Sequence, residues 1–394
     1  MGTKTSWINP KMLRWAREQV GLTLDDVGKL SQNLRGYTAI DPHQLEQWEA
    51  GEAEPELEHL ETLSELYVCP VGYFFLPASP HQERQALSFR GLAREKQDHL
   101  QPLSQQTLRR FLVLAEWTVS TIEEAGIAWP VRVQFTSRRI SLKELVARER
   151  ERLLFTPKIR SQWQTPEEAF RWWRERIESL GVFCFQMPLD PRDIRGASLW
   201  VQHRYPFILV NHHDVEAATG RLFTLLHEYA HLLTHRDGLI CDFRGTESDL
   251  EPFANQFAAR MLLSHEELKE RLTELGQNRP RETWPDRILD DLRQPFFVSR
   301  DVVAIILQEL QLAPNNFYQR KREQWERRQP FGRGKGGRPL KIEQKRRELG
   351  SSLTNLLAQA YKRRAISPID VADIVGVTVE KVEQFLGTAL EPGE

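Results

Sequence analysis

GRLFTLLHEYAHLLTH, residues 220–235, carries two patterns at once. Apolar residues at 222, 225, 226, 229, 232 and 233 recur at the period of a helix packed on a core. Beside that stripe runs His227-Glu228-Tyr229-Ala230-His231, an H-E-x-x-H sequence. Helix positions four apart sit one above the other, so the two imidazoles can grip a single ion from one face. That fills two corners of a tetrahedral zinc site. Glu228, one residue beyond the first ligand, is placed to reach a water on the ion rather than the ion itself. Zinc lowers the pKa of such a water from about 15.7 to about 7, and a carboxylate beside it can take the proton as a general base.

The bare five-residue pattern is only moderately specific, and its context sharpens it. It falls in mid-helix between apolar runs and follows a strand-like segment. A third ligand has to come from elsewhere in the chain. The helix expected from about Asp249 offers Glu251, with Ala254, Asn255, Ala258 and Leu262 on roughly the same face. The small alanines would let two helices approach one ion. Asp249 and Glu247 are the alternatives, suited also to helix-start or supporting roles. His212, His213, His235 and His265 stand in reserve as surface or capping residues, one of which could stabilise an oxyanion.

Upstream, GVFCFQMP, GASLWVQ and YPFILVN are short, rich in aromatic and β-branched residues, and bounded by Pro, Asp and Gly. They read as strands of a small antiparallel sheet. Residues 11–76 read as four short helices, and further helices are expected around 249–263 and 299–311. GRGKGGRP at 332–338 is a basic Gly-rich linker before a carboxy-terminal helical pair.

The 394 residues exceed one typical domain, and with 40% hydrophobic and 28% charged residues the composition is that of a globular protein. Neither a secretory signal core nor the roughly 18 apolar residues of a spanning helix is present, so a cytoplasmic protein with no membrane partner is expected. Three scattered cysteines, Cys69, Cys184 and Cys241, suit a reducing compartment. The net charge of −1 hides a gradient. Residues 1–80 hold six Lys/Arg against twelve Asp/Glu, whereas residues 318–350 hold twelve Lys/Arg against four Glu. An anionic polymer would favour the second segment.

The runs GRLFTLLHEYAHLLTH and EPFANQFAARMLL together resemble the ImmA/IrrE-type metallopeptidases, as do ESLGVFCFQ, FILVN and FFVSRDVVAIILQELQL around them. The likeness covers about residues 165–320. It implies His227, His231 and Glu251 as zinc ligands and Glu228 as general base. The sequence departs at Ser264, where such chains usually carry Met-Pro. LRWAREQVGLTLDDVGKLS and QWEAGEAEP are similar to the XRE-type helix-turn-helix, with NLRGYTAID inserted where the turn should be short. PHQLEQWEA, in the place of a recognition helix, has two glutamates and no Lys or Arg, which favours protein docking or dimerisation over DNA.

The expected architecture is therefore α+β and mostly helical. A helix-turn-helix bundle (1–80) and a linker (81–104) precede a zincin-like peptidase core (105–325) holding the small antiparallel sheet and the H-E-x-x-H helix. A basic linker (326–340) and a small C-terminal helical, helix-turn-helix-like domain (341–394) follow, with Arg333, Lys335 and Arg338 as candidate nucleic-acid contacts. The resemblance implies a zinc-dependent endopeptidase cutting one regulatory or toxin/antitoxin partner, encoded by a neighbouring gene, in a bacterial stress, mobile-element or defence circuit. The alternative is a non-catalytic antitoxin or DNA-binding regulator that keeps the fold as a scaffold. Glu228 favours the enzyme, since a scaffold needs the histidines but not the base.

Overall fold

The computed structural model describes residues 7–32, 34, 37–67, 69, 71–78, 100–136, 140–190, 193–212, 217–235, 239–243, 250–328 and 342–387. The chain forms two compact units that do not follow one another end to end. Unit 1 is Met1–Gly126, Lys335–Arg346 and Leu357–Glu394; unit 2 is Ile127–Gly334 and Arg347–Leu356. No helix among the described residues is long and apolar enough to cross a membrane.

Unit 1 begins with α1 (Pro10–Gln19), α2 (Leu24–Ser31), α3 (Pro42–Ala50) and α4 (Leu57–Tyr67). Their starts are set by side chains that satisfy free N–H groups: Asn9 before α1, Thr23 with Asp26 in a capping box before α2, and Asp41 before α3. Gly51 ends α3 at φ 78°, a left-handed conformation that glycine adopts without strain. Leu13, Val27, Leu45, Trp48, Leu63 and Phe74 lie in its core. Ten residues separate Ser31 from Pro42. The long α5 (Pro102–Glu124) belongs to the same unit, and its Arg110 pairs with Glu65 at 2.6 Å.

Unit 2 contains α6 (Leu142–Arg152), α7 (Pro157–Arg160), α8 (Pro166–Glu178), β1 (Phe183–Met187), β2 (Ile194–Val201), β3 (Tyr205–Asn211), α9 (Ala217–Thr234), β4 (Leu239–Phe243) and α10 (Leu250–Leu262). It continues with α11 (His265–Glu274), α12 (Asp286–Arg293), α13 (Arg300–Glu309) and α14 (Phe317–Arg328). The strands lie in the order β1-β3-β2-β4. The expected antiparallel sheet is in fact mixed: β3 pairs antiparallel with β2 but parallel with β1, and β4 adds a further antiparallel edge on β2. The β2–β3 hairpin folds so that β3, buried along its whole length, takes the central place beside β1. A strand covered on both faces reads as a continuous apolar run, and YPFILVN has that character.

α15 (Ile342–Lys362) breaks at Gly350 (φ 80°, ψ 167°), and α16 (Pro368–Val375) and α17 (Val382–Leu386) follow in unit 1. At the break Ser351 donates to Glu178 through its amide (3.2 Å) and its hydroxyl (2.5 Å). Arg174 donates to the carbonyls of Cys184 and Arg347. A Cβ at Gly350 would strike the Glu178 carboxylate and Arg174, so glycine is required by space as well as by φ. Burial pushes the Glu178 carboxyl up, with Arg174 and Ser351 working against that shift. This buried cluster fastens residues 347–356 to α8 and β1.

Candidate metal centre

α9 packs on α8, α10, β2 and β3, and it is buried nearly all round rather than along one stripe. The apolar side holds Leu222, Leu225, Leu226, Tyr229, Leu232 and Leu233. The polar residues are as deep: His227, Glu228 and His231 are 2%, 0% and 1% exposed. Burying such groups is costly unless they find partners.

Two of those partners come from each other and one from α10. His227 Nε2 and His231 Nε2 are 3.0 Å apart, and Glu251 reaches them at 3.1 Å (Oε2) and 3.4 Å (Oε1). All three donors lie within 4.8 Å of one another, so the cluster is one that could hold a metal ion. A tetrahedral zinc with bonds of about 2.0–2.1 Å sets its ligand atoms about 3.3–3.4 Å apart, close to the spacings found. Burial alone would raise the Glu251 carboxyl. The hydrogen bonds and charges of His227 and His231 outweigh it and hold that carboxyl well below the usual range, so Glu251 stands as an anion.

Asn255, one turn beyond Glu251 on α10, was not assigned a role from sequence. Its Oδ1 lies 3.1 Å from His227 Nδ1. An amide oxygen only accepts, so a proton sits on Nδ1 and Nε2 is left to the cluster, donating to Glu251 when the ring is charged and offering a lone pair when it is neutral. The signal available in sequence was its i+4 spacing from Glu251, which puts both on one face. Ala254 and Ala258 are fully buried on α10, which packs against α9.

Glu228 lies against β2. A Cβ at Gly196 would come within 2.9 Å of Glu228 Oε1 and 2.6 Å of Thr224 Cγ2, so a glycine inside this strand makes room for the carboxylate. The helix itself is tied down nearby. Tyr229 donates to the buried Glu149 at 2.8 Å, Trp200 to the Leu232 carbonyl at 3.2 Å, and the Thr136 amide to the Leu233 carbonyl at 2.7 Å. Burial, and then the Glu149 charge, push the Tyr229 phenol well above its ordinary value, which keeps it a neutral donor.

The remaining candidates are placed elsewhere or are not described. His265 lies 2.6 Å from Glu309, which also accepts from Arg260. His235 pairs with Thr234 at 2.8 Å, its ring 6.3 Å from that of His231, and the His212 amide donates to the Met187 carbonyl. Ser264, the departure noted above, accepts the Glu267 amide and starts α11 in a capping box. His213, Glu247, Asp249, Arg333, Lys335 and Arg338 lie outside the described residues.

Fold and cluster together define a mixed α+β unit with a centre of two buried histidines and one half-buried carboxylate. Residues 177–307, from the end of α8 into α13, match the family model described as Peptidase_M78: IrrE N-terminal-like domain. That similarity supports a metallopeptidase. Searches of curated proteins and of solved structures gave no match.

Proposed function

We propose that the chain is a zinc-dependent endopeptidase of the ImmA/IrrE type, with His227, His231 and Glu251 as ligands and Glu228 as general base. The observation that carries this is the meeting of three donors from α9 and α10 within 4.8 Å, on the helix that also bears Glu228. Zinc held there would supply Lewis acidity, polarising a peptide carbonyl and making a water molecule acidic near neutrality. Asn255 keeps the His227 lone pair aimed at the donor cluster. Glu228 takes a proton from the attacking water and delivers it to the leaving amine. Gly196 leaves the space in which that carboxylate sits.

The substrate is a partner protein, cut at one place in a regulatory circuit of the cytoplasm. Attached binding modules suit such limited cleavage, because they raise the local concentration of one substrate. The test is to incubate zinc-loaded protein and its Glu228→Gln variant with the products of neighbouring genes. A cut made by the first, and slowed by about 10²–10⁴-fold in the second, is expected. If both bind a neighbour equally tightly and neither cuts it, the protein is a scaffold.

A further inference from the structure

The α1–α4 bundle has a recess of its own that the metal centre does not use. Its volume is about 60 Å³, and Ile8, Pro10, Trp48, Ala53 and Pro55 form apolar walls with Glu54 at the rim. That is room for about two waters, or for one branched aliphatic group or a ring edge. Close in the chain to its lining residues, two large apolar side chains are left in solvent: Trp7, 81% exposed, next to Ile8, and Leu57, 62% exposed, two residues past Pro55.

The exposed charge around it is mainly acidic, although Lys11, next to Pro10, and Arg14 are also exposed. Glu52, Glu54, Glu56 and Glu58 are all exposed within the seven residues 52–58. Of the arginines of α1, Arg17 donates to both carboxylate oxygens of the buried Glu49, at 2.7 Å each, and to the Leu22 carbonyl at 2.8 Å, while Arg14 reaches the Glu49 carbonyl at 3.3 Å and its carboxylate at 3.6 Å. α3 shows solvent His43, Gln44, Glu46 and Ala50, with neither Lys nor Arg among them. Such a face repels phosphate and is poor in the cations that hold a nucleic-acid backbone. What complements an apolar recess inside an acidic rim is a cationic segment carrying a large apolar residue.

We infer that unit 1 is a docking module for a basic protein segment, one that seats an aliphatic or aromatic side chain against Trp48 and Pro55 while flanking Lys or Arg residues meet Glu52, Glu54, Glu56 and Glu58. The inference goes beyond the catalytic proposal and stands without it. Should the docked segment belong to the substrate, binding here delivers it to the same molecule's peptidase at high effective concentration.

The full-length Glu228→Gln protein, which leaves a bound peptide intact and so separates docking from cleavage, is titrated with fluorescein-labelled Ser-Lys-Arg-Leu-Trp-Arg-Lys-Ser and followed by anisotropy. Saturable binding that weakens with added salt is expected. Affinity should fall at least about tenfold when Leu-Trp becomes Ser-Ser, when Ala53→Phe fills the recess, and when Glu54→Lys and Glu56→Lys reverse the rim. The rim residues are exposed, so charge reversal leaves the fold intact, as a melting curve would verify. No saturation by about 1 mM peptide overturns the inference. So does indifference to Ser-Ser and to Ala53→Phe, which would reduce the effect to bulk charge. A duplex of about 20 base pairs that binds and displaces the peptide would instead make this face a nucleic-acid reader.

Discussion

Two carboxylates, Glu49 buried in unit 1 and Glu251 half-buried in unit 2, solve the same problem in different ways. Glu49, with its side chain 3% exposed, faces the permanently charged fork of Arg17, and the pair is complete within the chain. Glu251 faces two imidazoles, groups that are neutral unless protonated, at spacings a tetrahedral ion would span. A structural carboxylate is given a fixed cation. A carboxylate meant for an exchangeable ligand is given partners that can change charge and release it. Stability should therefore depend on the first pair, and metal binding on the second.

The sharpest way to break this contrast is His231→Ala. Losing one of three donors should abolish stoichiometric zinc binding by calorimetry and, with it, cleavage. The metal-free variant should melt close to metal-free wild type, the lost contact with Glu251 being offset by removal of a buried polar ring. A marked drop in melting temperature would assign the cluster to the core instead. Arg17→Met should do the opposite. Leaving Glu49 buried without its main cation should destabilise unit 1 by about 3–5 kcal/mol in denaturant titration and leave zinc affinity unchanged. The double variant Arg17→Met with Glu49→Leu should recover most of that loss, whereas equal losses in the single and double variants would mean that packing, not charge, was removed.

The contrast also marks what the sequence could tell. The α9 stripe, the histidine spacing and Glu251 were legible because periodicity within one helix is a local property. Strand pairing was not: β1, β2 and β3 carry the same β-branched and aromatic character, and nothing local says that β3 enters between the other two. β4 was missed, because LICDF carries an acidic residue and stands between the polar runs HRDG and RGTESD. The attachment of residues 347–356 to unit 2 depends on Arg174 and Glu178, which are 173 residues away from Arg347 and Ser351 respectively. Gly196 was readable in principle, since a glycine inside a strand asks what approaches it. The answer, Glu228, needed the fold.

A smaller effect is expected one bond back from the cluster. Asn255→Ala frees the His227 ring to turn and to exchange its tautomer, and zinc affinity should fall by about 10–100-fold without unfolding. Asn255→Asp, which still accepts from Nδ1, should restore it. If alanine and aspartate behave alike, the 3.1 Å contact orients nothing.

The smallest effect concerns how the end of α10, the helix that carries Glu251, is held. Arg160 donates to the Leu262 carbonyl and Arg150 to that of Met261 at 3.1 Å. Glu267 pairs with Arg160 at 2.6 Å and accepts the Ser264 amide at 2.8 Å. Burial would raise the Glu267 carboxyl, but the Arg160 charge, the Ser264 amide and Arg150 together hold it below its ordinary value. A depressed carboxyl binds its proton less readily folded than unfolded. Its stabilisation is therefore present above the unfolded value of about 4.3 and is lost as pH falls through the folded one. Glu267→Gln should accordingly lower the stability of unit 2 at pH 7, and the gap from wild type should close as the pH is taken below about 4. A gap that stays constant across that range would show that Arg160 and Arg150 hold the helix end without help from the Glu267 charge.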